Sequence, residues 1–145
     1  MKSRDEIDAL LKAAAEAGLE GLDFAAEFDY ETIAREYNGV GSEWLPQGIR
    51  DRVTAYLAVF EPAALLHDLR YSRSDGSDSG FRAANAEFLR NCLRLANRAY
   101  PWWNWRRYRA RAAAMLLFDA VEAFGGLSWG KTYGLQSNNK RKEAQ

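Results

Sequence analysis

The chain has 145 residues with one histidine, one cysteine and 20 acidic against 20 basic side chains, a formal net charge of zero. That length fits a single domain, since cores fail below roughly 40 residues and divide above about 250. Hydrophobic residues make up 48% of the chain, enough to build a packed core, so it is not a disordered segment; a lone Cys92 excludes an internal disulfide framework and argues against a four-ligand zinc site.

Ser3 and Glu6 form a capping-box pair ahead of Ile7, Leu10, Leu11 and Ala14, whose spacing predicts an amphipathic helix that Gly18 ends. Asp29 is placed to cap a short second helix carrying Ile33, Ala34 and Tyr37, with Asn38-Gly39 as its stop. Gly39, Gly41, Pro46 and Gly48 mark a loop from Asn38 to about Gly48. Ile49, Val53, Tyr56, Leu57 and Phe60 make a further helical stripe, and Pro62 fits the first turn of the next helix, where its missing N–H does no harm. That helix carries His67 and should end near Tyr71, because Ser72 to Gly80 is a serine, aspartate and glycine cluster that reads as an exposed, mobile loop.

From Phe81 the helical period resumes, with Asn85, Phe88, Leu89, Cys92 and Ala96 on one face. Pro101 separates this helix from a last one, roughly Arg106 to Phe124, which places Ala110, Ala113, Ala114, Leu117, Val121 and Phe124 in a stripe and stops at Gly125-Gly126. The polar tail Gln136 to Gln145 is expected to fray. No strand pattern exceeds a few residues, so the expected class is all-α, a single helical domain over residues 1–145. No apolar run reaches the ~18 residues that span a bilayer, and the N-terminus has no charged-then-apolar signal pattern, so a soluble protein is expected.

Charge is unevenly placed. Acids crowd the first third, whereas Arg94, Arg98, Arg106, Arg107, Arg109 and Arg111 follow one another with no intervening acid. Either the two regions pair with each other or the later one faces an anionic partner. Tyr100, Trp102, Trp103, Trp105 and Tyr108 interleave with these arginines, and three readings stay open. The indoles are core and the arginines a solvated face, or the segment sits at a membrane interface, or it stacks on single-stranded bases. Gly125, four residues, then Gly130, Lys131 and Thr132 match the phosphate-loop pattern literally. The match follows a helix and leads into a polar tail, so it has no strand–loop–helix unit to hold phosphate and is set aside.

The most informative segment is His67-Asp68-Leu69-Arg70-Tyr71. His67 and Tyr71 lie one turn apart, sharing a small apolar face with Ala63 and Ala64. A histidine there is either a satisfied core residue or a general base held in one tautomer. Asn85 is aligned with inward residues, and a buried amide needs partners that an imidazole can supply. Tyr37-Asn38-Gly39-Val40-Gly41 is a glycine loop able to turn carbonyls towards one point, and Asp68 offers a carboxylate; carbonyls with a carboxylate suit calcium.

This arrangement, over roughly Tyr37 to Leu93, resembles the phospholipase A2 superfamily, especially the viral, phage and bacterial members that lack the secreted enzymes' disulfides. The resemblance consists of a glycine calcium loop, a His-Asp-x-x-Tyr helix and a second antiparallel helix. Cysteines of the secreted enzymes align with Ala63, Ala64 and Arg70. The resemblance implies two central antiparallel helices carrying the site, flanked by N- and C-terminal helices. It implies calcium-dependent hydrolysis of the sn-2 ester of phospholipids, with His67 as general base and Tyr71 in the supporting hydrogen-bond network. Asp68 and backbone carbonyls at Asn38, Gly39 and Gly41 are the implied Ca²⁺ ligands, and a phospholipid or membrane surface is the implied partner, which the aromatic and arginine segment would dock.

The sequence departs from the family where an aspartate that orients the histidine aligns with Asn85, and in a longer stretch between glycine loop and His67. Phe124-Gly125 followed by Trp129 is similar to a pattern after the His-Asp helix in phage-associated relatives; that resemblance implies a phage or bacterial origin, with the protein in a bacterial cytoplasm or associated with a virion. A non-catalytic lipid-, virion- or partner-binding module of the same fold is the second reading, and a single-strand nucleic-acid binder the third.

Overall fold

The computed structural model describes residues 1–37 and 45–130, and among them every regular element is helical. In chain order these are α1 (Arg4–Glu16), α2 (Leu22–Ala25), α3 (Tyr30–Glu36), α4 (Gln47–Val53), α5 (Leu57–Ser72), α6 (Asp78–Ala99) and α7 (Trp105–Phe124), with a 3₁₀ turn at Thr54–Tyr56 between α4 and α5. The expected tail from Gln136 lies outside the described residues.

Local chemistry sets most helix ends. The Ser3 hydroxyl accepts from the Glu6 N–H while the Glu6 carboxylate accepts from the Ser3 N–H, the reciprocal box anticipated for α1. At its far end Gly18 adopts φ +65°, and Leu19 and Gly18 donate back to Ala14 and Ala15, satisfying carbonyls the helix leaves open. Asp29 caps α3 through the Thr32 N–H. The short α2 between these elements has no periodicity long enough to announce it.

Helix α5 is the centre of the molecule. Phe60, Ala63, Leu65, Leu66 and Leu69 are buried around most of its circumference, and only a narrow strip through Ala58, Glu61, Asp68 and Ser72 reaches solvent. Helices α1, α2 and α3 cover it on one side and α6 on another, and α7 then packs against α6 and α4. Tyr71 meets Phe81 and His67 meets both Asn85 and Phe88, so contacts advance along α6 as they retreat along α5. The two helices are therefore antiparallel, as expected for the pair that carries the site.

Three boundaries differ from expectation. Pro62 lies inside α5, not in its first turn, and the break falls at Thr54–Tyr56. The ring forfeits one intrahelical hydrogen bond, to the Ala58 carbonyl, and is itself buried among the apolar residues of the core. Second, Ser72 to Gly80 is not a free loop: α5 runs through Ser72 and α6 starts at Asp78, capped by the Ser77 hydroxyl on the Gly80 N–H. Between them Asp75 Oδ1 accepts from the Ser77 N–H and hydroxyl, and Gly76 takes φ +72°. Third, Phe124 is half exposed and leaves the inward stripe of α7, whose place is taken by Ala120. The chain does not stop at Gly125-Gly126, because residues 126–130 add another helical turn.

Candidate functional site

α5 and α6 bring together three side chains from the His67 segment and its partner helix. Asn85, fully buried, accepts on Oδ1 from the Tyr71 hydroxyl at 2.7 Å and stands 3.0 Å from His67 Nε2. Its amide nitrogen donates to Glu122 Oε1 of α7 at 3.3 Å. A carboxylate accepts only, so it fixes the amide with its NH₂ towards Glu122 and its oxygen towards His67. The imidazole must then carry its proton on Nε2, which leaves Nδ1 with the lone pair.

The ring is clamped by aromatics. Phe88 stacks on it with centroids 4.5 Å apart, and Tyr71 lies at 4.4 Å on a tilt. His67 is only 9% exposed, and burial pushes its pKa down to about 4, partly opposed by the hydrogen bond to Asn85. The imidazole is consequently neutral at pH 7, the protonation state a general base requires. Burial is also the main reason the Tyr71 hydroxyl titrates well above its ordinary range.

Residues that the sequence did not tie to the site complete it. Glu122 gives no motif signal and becomes part of the network only because α7 packs across α6. Trp129 is buried, meets Tyr71 edge-on at 5.2 Å and donates its indole N–H to the Ser77 carbonyl. The Ser74 hydroxyl donates to the Trp129 carbonyl, so this indole ties the α5–α6 turn to the end of α7. Gly125 passes so close that an added Cβ would lie 2.7 Å from the Tyr71 hydroxyl and 2.6 Å from the Val121 carbonyl. The spacing Phe124-Gly125 and Trp129 thus has a packing role beside the network.

Three residues after His67, Arg70 braces the α5–α6 pair where α2 packs on it. Its guanidinium meets both oxygens of Glu87, at 3.2 and 3.0 Å, and lies over the Phe24 ring at 4.2 Å. A cavity of about 380 Å³ opens on this side, lined by Phe24, Arg70, Arg73, Glu87 and Arg90 among others, and His67 does not border it.

Asp68 is partly exposed, and its carboxylate contributes to holding the Tyr37 and Tyr71 hydroxyls protonated. No cluster of three His, Cys, Asp or Glu side chains suited to a metal occurs among the described residues. A calcium ion at Asp68 would depend on carbonyl oxygens for most of its six to eight ligands, and the expected donors Asn38, Gly39 and Gly41 lie outside the described residues. Lys131 and Thr132 of the phosphate-loop match lie outside them as well.

Four of the six arginines in the run make contacts within the fold. Arg107 and Arg111 both donate to Asn97 Oδ1, clamping α7 to α6, while Arg94 reaches the Gly18 carbonyl and Arg98 lies 3.9 Å from Glu16. With the fork between Arg90 and Glu20, these contacts pair α6 with the acid-rich first third. No protein family, curated protein or solved structure matches the chain.

Proposed function

We propose that this chain is a phospholipase A2-like hydrolase of phospholipid sn-2 esters in which His67 is the general base. The observation that supports this reading is the hydrogen-bonded triple of His67, Asn85 and Tyr71 across two antiparallel helices. With Nε2–H held by Asn85, Nδ1 is the atom that takes a proton from water as the water attacks the ester carbonyl. Tyr71 shares the Asn85 oxygen with the imidazole and holds it in place. Asp68, with carbonyls at Asn38, Gly39 and Gly41, is the proposed calcium set, and the ion would polarise the ester carbonyl.

Asn85 sets the expected rate. An aspartate stabilises the imidazolium that forms on proton uptake, whereas an amide oxygen supplies no charge. In a serine protease the Asp→Asn change costs about 10⁴ in rate, yet papain-like enzymes use a native asparagine as orienter. The carboxylate nearest to His67 in this network is Glu122, one amide away, where it polarises Asn85 without touching the ring. Weak hydrolysis is the expected outcome.

The test compares wild type, Asn85→Asp and His67→Ala on phospholipid vesicles with and without calcium, reading fatty-acid release. Calcium-dependent release above the His67→Ala background, raised by Asn85→Asp, supports the reading. A second reading, a non-catalytic lipid- or partner-binding module of the same fold, is favoured by the deep burial of His67 and the neutral orienter. Release by Asn85→Asp no higher than by His67→Ala would make it the better account.

A further inference from the structure

Over its first three turns, Trp105 to Met115 and short of the exposed Asp119, helix α7 is apolar on two opposite faces. Inward, Ala110, Ala113, Ala114, Leu117 and Val121 are buried. Outward, Trp105, Tyr108, Ala112 and Met115 recur at helical spacing, and Trp105, Tyr108 and Met115 are each more than half exposed. The turn before the helix adds Trp102 and Trp103, at 72% and 69% exposure, so the tryptophans of this segment are not core. Large exposed aromatics gathered at one corner are uncommon on a monomer without a partner.

The charges around them say what kind of partner fits. Arg106 and Arg109 lie 5.7 and 4.7 Å from the Trp105 ring, and no carboxylate occurs between Arg94 and Arg111. Indoles over a hydrocarbon edge with guanidiniums at the headgroup level are the composition of an interfacial helix. A second copy of the chain is a poorer fit, because an isologous contact would bring Arg106 and Arg109 towards their own counterparts. A corner that projects its indoles also suits insertion into a deformable layer better than a rigid protein groove.

We propose that the corner formed by Trp102, Trp103 and the outward face of α7 docks the protein onto membranes that carry anionic phospholipid. The docking surface is separate from the His67 network. Asn85 lies near the start of α6, whereas the corner follows that helix's last residue, Ala99. The corner therefore orients the whole molecule on the bilayer, and the proposal does not depend on hydrolysis.

Cosedimentation of the full chain with vesicles of ether-linked phosphatidylcholine, with or without ether-linked phosphatidylglycerol and in the presence of a chelator, removes both the cleavable ester and calcium from the experiment. Binding is expected on the anionic vesicles only, weakening as salt rises. Trp102→Ser with Trp103→Ser should lower the affinity at least roughly tenfold, since each indole contributes buried apolar area. Arg106→Glu with Arg109→Glu should remove the preference for phosphatidylglycerol. Both pairs change exposed side chains, and an unchanged circular dichroism melt confirms that each variant is folded. Absence of binding to anionic vesicles, or equal binding by the tryptophan variant, overturns the proposal. So does a dimer in sedimentation velocity that the tryptophan variant abolishes, which would assign the corner to a second copy, or salt-sensitive oligonucleotide binding lost in the same variants. Failure of vesicle hydrolysis with intact vesicle binding would strike only the His67 reading.

Discussion

At the scale of single residues, His67 carries a measurable consequence whether or not it is catalytic. Its folded pKa lies near 4, below the 6.5 of an unperturbed histidine, because burial disfavours the cation. Between those values the unfolded chain binds a proton that the folded chain does not, so stability rises with pH across the window. The contribution is fully present above pH 6.5 and is lost as pH falls towards 4, amounting to roughly 3 kcal/mol. Urea denaturation of wild type and His67→Gln from pH 7.5 to 4 isolates it from the carboxylates that titrate in both. The wild type is expected to lose more stability in that window, and a pH-independent difference between the two proteins would contradict a burial-driven shift. The pairing of His67 with Asn85 was legible in the sequence because both fall on inward helical stripes and a buried amide demands partners. Glu122 was not, since it enters the network only through a crossing of α7 over α6 that no local pattern encodes.

Among the elements, the close approach of the α7 end to α5 rests on Gly125. Its φ of −71° is open to any residue, so the constraint is steric: a methyl group would meet the Tyr71 hydroxyl and the Val121 carbonyl. Gly125→Ala is expected to destabilise the protein by about 1–3 kcal/mol through overpacking, and to displace Tyr71 from Asn85. Gly126→Ala is the control, because its Cβ would meet only the Phe81 ring at 4.0 Å. Thermal melts of the two variants, with the near-ultraviolet dichroism of the aromatic cluster, measure both effects; equal melts would remove Gly125 from the packing argument. Helix ends with a local device were readable, as Ser3, Gly18 and Asp29 show. Pro62 was misplaced because a proline rule describes its hydrogen bonding and not the core that buries its ring. The Ser72 to Gly80 cluster was misread because its polar residues bond to one another and to Trp129, which is remote in sequence.

The whole molecule is organised around α5, which has apolar residues on most of its sides and so cannot be stable without cover from both halves of the chain. The all-α class followed from periodicity, but which helices enclose which did not, because α1 and α6 meet α5 from separate parts of the sequence. On one side the cover is α1, which buries Ile7 and Ala14 completely and Leu10 and Leu11 in part. The turn after α1 is held by Asn91, whose amide oxygen accepts from the Glu20 N–H and whose nitrogen donates to the Glu20 carbonyl. At about 2 kcal/mol for each fully buried aliphatic side chain, α1 supplies several kcal/mol to a total that for a domain is about 5–15. Removing residues 1–20 is therefore expected to abolish cooperative unfolding and expose α5, with strong binding of a hydrophobic dye, while much of the helical dichroism persists. Ile7→Ala gives a graded version, with a loss of about 2–4 kcal/mol in urea denaturation from the cavity it leaves. A truncated chain that still melts cooperatively within a few degrees of the wild type would show that α5, α6 and α7 make an independent core. The His67 network would then belong to a smaller folding unit than the full ring of helices around α5.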